Sequence, residues 1–129
     1  YNLKQNDLAL ADLQLLAEDV RRAEGAEAKY LCAQIYFDIN QTEKAEEQIM
    51  DFAKRNTSHQ FWLAKSFILL SDIYVEKDDL FQAKQYLLSL QNNYKPQDEI
   101  QDIIKQRLSA IELKEQQSNE EDNENDDEE

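Results

Sequence analysis

Apolar residues recur along this chain at a helical period almost throughout. Over about residues 3–23, Ala9, Leu10, Leu13, Leu16, Ala17 and Val20 return at spacings of three and four, which predicts a first helix. Leu8 and Leu15 fall well to one side of that stripe, so this helix offers apolar surface on two sides. A second helix is expected over about residues 26–39, built on Tyr30, Leu31, Ala33, Ile35, Tyr36 and Phe37. A third, over about 42–54, carries Ala45, Ile49, Phe52 and Ala53 on one face and Glu43, Lys44, Glu46 and Glu47 on the other. Their short connection implies an antiparallel hairpin. The most apolar segment, about 59–76, predicts the fourth and most buried helix; the fifth runs over about 80–91 on Ala83, Leu87 and Leu90. A sixth is expected over 98–115 on Ile100, Ile103, Ile104, Leu108 and Ile111.

The punctuation agrees with these bounds. Gly25, the sole glycine, is expected to end the first helix in a left-handed conformation, and Asn40 to do the same for the second. Ser58 is placed to cap the start of the fourth helix, and Asp79 with Gln82 three residues on resembles a capping box. Pro96 marks the end of the loop before the sixth helix. From Gln116 onward every residue is polar, which predicts a separate acidic tail over 116–129, disordered or at most a frayed helical extension.

One stretch organises the rest. Residues 66–90 repeat residues 28–52 at an offset of 38, pairing Leu31 with Leu69, Ile35 with Ile73, Tyr36 with Tyr74, Ala45 with Ala83 and Ile49 with Leu87. Self-similar helical hairpins of about this period resemble tetratricopeptide repeats. Ala33, Tyr36, Ala45 and Ile49 stand at that family's defining positions in residues 26–59; Ser71, Tyr74, Ala83 and Leu87 take them in residues 64–97, with Pro96 near the expected terminal proline. The first helix is similar to the second half of a preceding repeat, with Ala9, Leu13 and Leu16 in the places of Ala45, Ile49 and Phe52. Departures are the 38-residue offset, Lys29 where a large residue is usual, and Thr57 where proline is usual. The resemblance implies an all-α, right-handed solenoid of antiparallel hairpins over residues 1–115, closed by a C-terminal capping helix at 98–115.

The resemblance also implies a function: a protein–protein interaction scaffold that holds a peptide or partner helix in a concave groove. By position, that groove presents Glu27, Tyr30, Gln34, Phe37 and Asp38 from one unit and Lys65, Ile68, Asp72, Val75 and Glu76 from the next. Aromatic and aliphatic residues edged by acids suit a ligand with apolar anchors and positive charge, although Tyr30, Phe37 and Ile68 would serve equally as helix packing. The Lys and Asn that let some members of the family clamp a C-terminal carboxylate are replaced here by Tyr30 or Ile68 and by Gln34 or Asp72, so that function is not implied. The second reading is self-association, a homodimer formed through the Leu8 and Leu15 side of the first helix.

Composition narrows the alternatives. A single Gly and a single Pro in 129 residues favour helices over strands and turns, and no apolar run approaches the roughly 20 residues of a membrane span. Formal charge is −14, but nine of the 28 acids lie in residues 115–129, leaving 19 against the chain's 14 bases. Such a balance disfavours nucleic-acid binding, which needs a basic surface. Cys32 is the only cysteine, so there is no intrachain disulfide, and it reads as a small buried hydrophobe. His59, the only histidine, reads as a helix-start residue. No nucleophile–base pair, metal cluster or phosphate loop is assembled, so neither an enzyme nor a cofactor is expected. Asp122, Glu124 and Asp126 alternate as a calcium loop begins, but Asp127 replaces the turn glycine and no twelfth ligand follows. The opening at Tyr1, without a charged leader and apolar core, reads as a piece of a longer protein whose compartment is set elsewhere.

Overall fold

The computed structural model describes the backbone of residues 3–55 and 57–127 and the side chains of 7–55 and 57–120. It is all-α. Six helices follow in order: α1 (Leu3–Leu16), α2 (Ala23–Asp38), α3 (Thr42–Lys54), α4 (Gln60–Glu76), α5 (Leu80–Asn93) and α6 (Glu99–Asp127). Each helix packs on the next, and α4 also touches α2 on one side and α6 on the other. The contacts thus set α2, α4 and α6 side by side as one layer, with α1, α3 and α5 packed against them.

The two hairpin turns are copies in their hydrogen bonds. After α2, Asn40 N donates to Phe37 O at 3.1 Å and Gln41 N to Tyr36 O at 2.8 Å; after α4, Asp78 N donates to Val75 O at 3.0 Å and Asp79 N to Tyr74 O at 2.9 Å. Both are Schellman turns, in which the residue beyond the cap turns left-handed to satisfy the last helical carbonyls. Asn40 has φ 64° and Asp78 φ 62°, in agreement with the left-handed cap expected at Asn40. Asp79 then caps α5, its Oδ1 accepting from Gln82 N at 3.1 Å, as the sequence suggested.

Three apolar clusters succeed one another along the stack. Val20, Ala26 and Phe52 pack with Trp62 and Leu63. Next, Ala33, Ala45 and Ile49 of the first hairpin meet Leu69, Leu70 and Ile73 of α4. Beyond α4, Ile68, Ala83 and Leu87 meet Ile100, Ile104 and Ile111 of α6. Ala45 and Ala83 are fully buried in these clusters, and each large buried side chain beside them contributes roughly 1.5–3 kcal/mol by leaving water. Cys32 is buried as expected, and burial pushes its thiol above the ordinary value.

Three local expectations are corrected. The first helix ends at Leu16, not near Ala23; Ala17 and Val20 are buried from the connecting loop, and Leu16, offered as the counterpart of Phe52, is 53% exposed while Leu10 is buried. Gly25 is not a left-handed terminus: it lies in the first turn of α2, and no glycine has positive φ. Its role is close approach, since a Cβ there would stand 1.8 Å from Asp19 O and 2.8 Å from Leu16 O. Nor does Ser58 cap α4. Thr57 organises that junction instead, its hydroxyl donating to Val20 O at 2.7 Å and accepting from His59 N at 3.1 Å.

Past Glu115 the backbone stays helical to Asp127, taking the helical extension of the acidic segment, with residues 116–120 exposed. Asp122, Glu124, Asp126 and Asp127 lie outside the residues whose side chains are described, as does all of residues 128–129.

Candidate functional site

The face shared by α2, α4 and α6 brings together Tyr30, Gln34, Lys65, Ile68 and Asp72, half of the ten groove residues singled out from the sequence. On α2, residues four apart form a chain: Tyr30 Oη donates to Gln34 Oε1 at 3.1 Å, and Gln34 Nε2 donates to Asp38 Oδ1 at 2.9 Å. Helical spacing makes this possible, because positions i and i+4 stand one above the other. From α4, Lys65 Nζ sits 5.4 Å from the Tyr30 ring centroid and 6.0 Å from that of Phe61, a cation over aromatic faces. Trp62 lies against Tyr30, at 5.8 Å between centroids with the rings tilted by 31°. From α6, Arg107 Nε donates to Asp72 Oδ1 at 2.9 Å.

Tyr30, Gln34, Lys65, Ile68, Leu69, Asp72, Ile103 and Arg107 line one cleft of about 70 Å³. Burial pushes the Asp72 carboxyl above the ordinary carboxylate range, against the pull of Arg107. Burial likewise raises the Tyr30 phenol, with the negative charges of Asp72 and Asp38 adding to the effect. Glu27, Asp38 and Glu76 are exposed, and none forms an ion pair among the described residues. At 5% exposure Ile68 belongs to the core between α4 and α6, while Phe37 and Val75 are half-buried against the two larger clusters. These three serve packing. Ile103 and Arg107 were not expected here, because α6 read as a cap; its stripe of isoleucines brings them onto the face.

A second, larger concavity lies between α4 and α5. It measures about 430 Å³ and is lined by Leu63, Ala64, Phe67, Tyr86 and Leu90, together with Gln60, Ser89, Asn93 and residues 94–96. Phe67 stacks on Tyr86 at 6.2 Å, and Tyr86 on Tyr74 at 5.6 Å. Hydrogen bonding to Glu46 pushes the Tyr74 phenol up to about 12, and Lys77 ties the same carboxylate at 2.8 Å. No single position in the sequence marked this cleft.

Among the described residues no group of three or more His, Cys, Asp or Glu could hold a metal ion, and no helix is long and apolar enough to cross a membrane. His59 lies at the start of α4, its ring nitrogen 3.0 Å from Arg21 O. No family model, curated protein or solved structure matches this chain.

Proposed function

We propose that this chain is a protein-interaction module of tetratricopeptide-like, solenoid type, binding an extended peptide or partner helix across the face of α2, α4 and α6. The duplicated turns at Asn40 and Asp78 and the layering of alternate helices support the repeat reading. The observation that carries the binding reading is the row of half-exposed groups drawn from three helices onto one face: Tyr30 and Gln34, then Lys65 and Asp72, then Arg107.

A cleft of about 70 Å³ is too small for a drug-sized ligand, whose pockets run to roughly 300–1,000 Å³. It suits side chains laid across a surface. Arg107 is already matched by Asp72 and Lys65 by the rings of Tyr30 and Phe61, whereas Glu27, Asp38 and Glu76 keep uncompensated charge at the edge. The ligand is therefore a segment with apolar anchors and Lys or Arg beside them.

Selection from a random displayed peptide library, followed by fluorescence anisotropy on the selected peptides, tests this reading. Basic, apolar-anchored sequences should emerge, and Tyr30→Ala/Asp72→Ala should weaken them about tenfold or more with helicity unchanged. Equal affinity for the double variant would retire the proposal.

A further inference from the structure

The cleft between α4 and α5 is built from two matching stripes. Gln60, Leu63, Ala64 and Phe67 of α4 stand at i, i+3, i+4 and i+7, and Tyr86, Ser89, Leu90 and Asn93 of α5 do the same. Two antiparallel stripes of that form make the groove that a third helix fills. In a chain of 28 acids and 14 bases, no acid lines this groove, and its one charged residue is Lys95.

The described surface also offers a helix with the same stripe and no covering. On α1, Leu8, Ala11, Asp12 and Leu15 repeat the i, i+3, i+4, i+7 spacing, and Leu8 and Leu15 are each 69% exposed. Ala11 is small enough to let two backbones approach, and Asp12 puts a carboxylate between the two leucines. Seven residues of helix span roughly 10 Å, so Leu8 and Leu15 are as far apart as Gln60 and Phe67. Spacing and charge sign correspond.

We infer that α1 of a second copy of this chain occupies the α4/α5 groove, with Leu8 and Leu15 entering the apolar floor and Asp12 complementing Lys95. The groove shares no lining residue with the α2/α4/α6 face, so this inference and the proposed peptide site stand or fall separately.

Sedimentation equilibrium of the full chain tests it. The weight-average mass should rise above 15.2 kDa with concentration, through roughly tens of micromolar for a contact of this size. Leu8→Glu/Leu15→Glu should hold the mass at the monomer value, and so should Ser89→Glu, an exposed position that places a charge in the groove. Circular dichroism should be unchanged in both. Mixing these two variants should restore association, because one retains the groove and the other the helix. Should Ser89→Glu fail to fold, the charge swap serves instead: Lys95→Glu and Asp12→Lys each weaken association, and their combination recovers it. A mass of 15.2 kDa at every concentration overturns the inference. Association lost with the leucines but kept in both Ser89→Glu and Lys95→Glu overturns it too, since that marks pairing of α1 with α1.

Discussion

In the α2–α3 hairpin, Lys29 is buried and reaches Asp51 of the facing helix at 2.7 Å, and Arg55 joins the same carboxylate at 3.0 Å. Thirty-eight residues on, the equivalent places in the α4–α5 hairpin hold Phe67, Ser89 and Asn93, all of which line an open cleft. The frames match, since both turns carry the same hydrogen bonds and the same left-handed residue. The filling of the open end differs. In the first hairpin the preceding loop presses its backbone onto Gly25, with Val20 reaching Ala26 and Phe52; in the second, Leu63 stands where Gly25 stood. Turn geometry and the small residues at the crossings set the backbone, and the side chains at the open end are then free to close the gap with charge or leave an apolar surface.

The two junctions should differ most at Gly25. Gly25→Ala places a methyl group against the Asp19 carbonyl, a backbone atom that cannot rotate aside, and is expected to cost about 3 kcal/mol. Leu63→Ala, at the equivalent position, removes packing from a half-buried side chain and is expected to cost about half as much. Urea midpoints of the two variants supply the measurement. Equal losses would mean that the two junctions are not differently built.

Much of this frame was legible in the sequence because it depends on local chemistry. Asn tolerates left-handed backbone, so Asn40 could be read directly, and Asp79 declared itself a cap by its distance from Gln82. What misled was burial that mimics a helical stripe. Ala17 and Val20 continue the spacing of α1, but they are apolar because the loop is packed against the first hairpin. Gly25 was ambiguous for a related reason, since glycine serves a left-handed turn and a close backbone approach alike. On the α2/α4/α6 face the α2 chain of Tyr30, Gln34 and Asp38 followed from helical spacing, whereas Arg107 and Asp72 lie 35 residues apart and meet only through the stacking of α6 on α4. The open cleft is a matter of missing volume, which no single position records. Comparing Lys29 with Phe67 and Asp51 with Ser89 in the repeat register would have marked it.

The ionic closure is the next point of attack. Lys29, chiefly through its hydrogen bond, holds the Asp51 carboxyl below the ordinary carboxylate range. Because the folded-state value is the depressed one, the stabilisation is complete above the unfolded carboxylate value near about 4 and is lost as pH falls through the folded value. Lys29→Met is expected to cost about 1–2 kcal/mol at pH 7, less than for a fully buried pair because Asp51 is 44% exposed and keeps Arg55. As pH falls below the ordinary carboxylate value the difference from the unmodified chain should shrink, and it vanishes or reverses once the Asp51 carboxyl is protonated. Chemical denaturation across the acid range decides it. A penalty that stays constant as the pH is lowered to the point where the fold is lost would show that Lys29 acts through its methylene packing and not its charge. Asp72 should behave in the opposite sense, since burial raises its value: its contribution is present below the ordinary carboxylate range and lost as pH rises through the raised one.

The smallest effect concerns a buried position where the two units differ by a single oxygen. Ala33 of α2 and Ser71 of α4 occupy equivalent positions and are both buried, at 1% and 0% exposure. The Ser71 hydroxyl has no hydrogen-bond partner among the described residues, whereas Ser66, five residues earlier on α4, donates to Trp62 O at 2.9 Å. A buried hydroxyl that gives up water without a replacement costs roughly 1 kcal/mol or more, and a methyl group in its place loses nothing at a crossing that already accepts alanine. Ser71→Ala is therefore expected to raise stability by about 1 kcal/mol, and Ala33→Ser to lower it by a similar amount. Thermal or urea unfolding of both variants gives the comparison directly. If Ser71→Ala were destabilising, the hydroxyl would have to be satisfied in solution, and the equivalence of the two crossings would hold for the backbone but not for the chemistry between the helices.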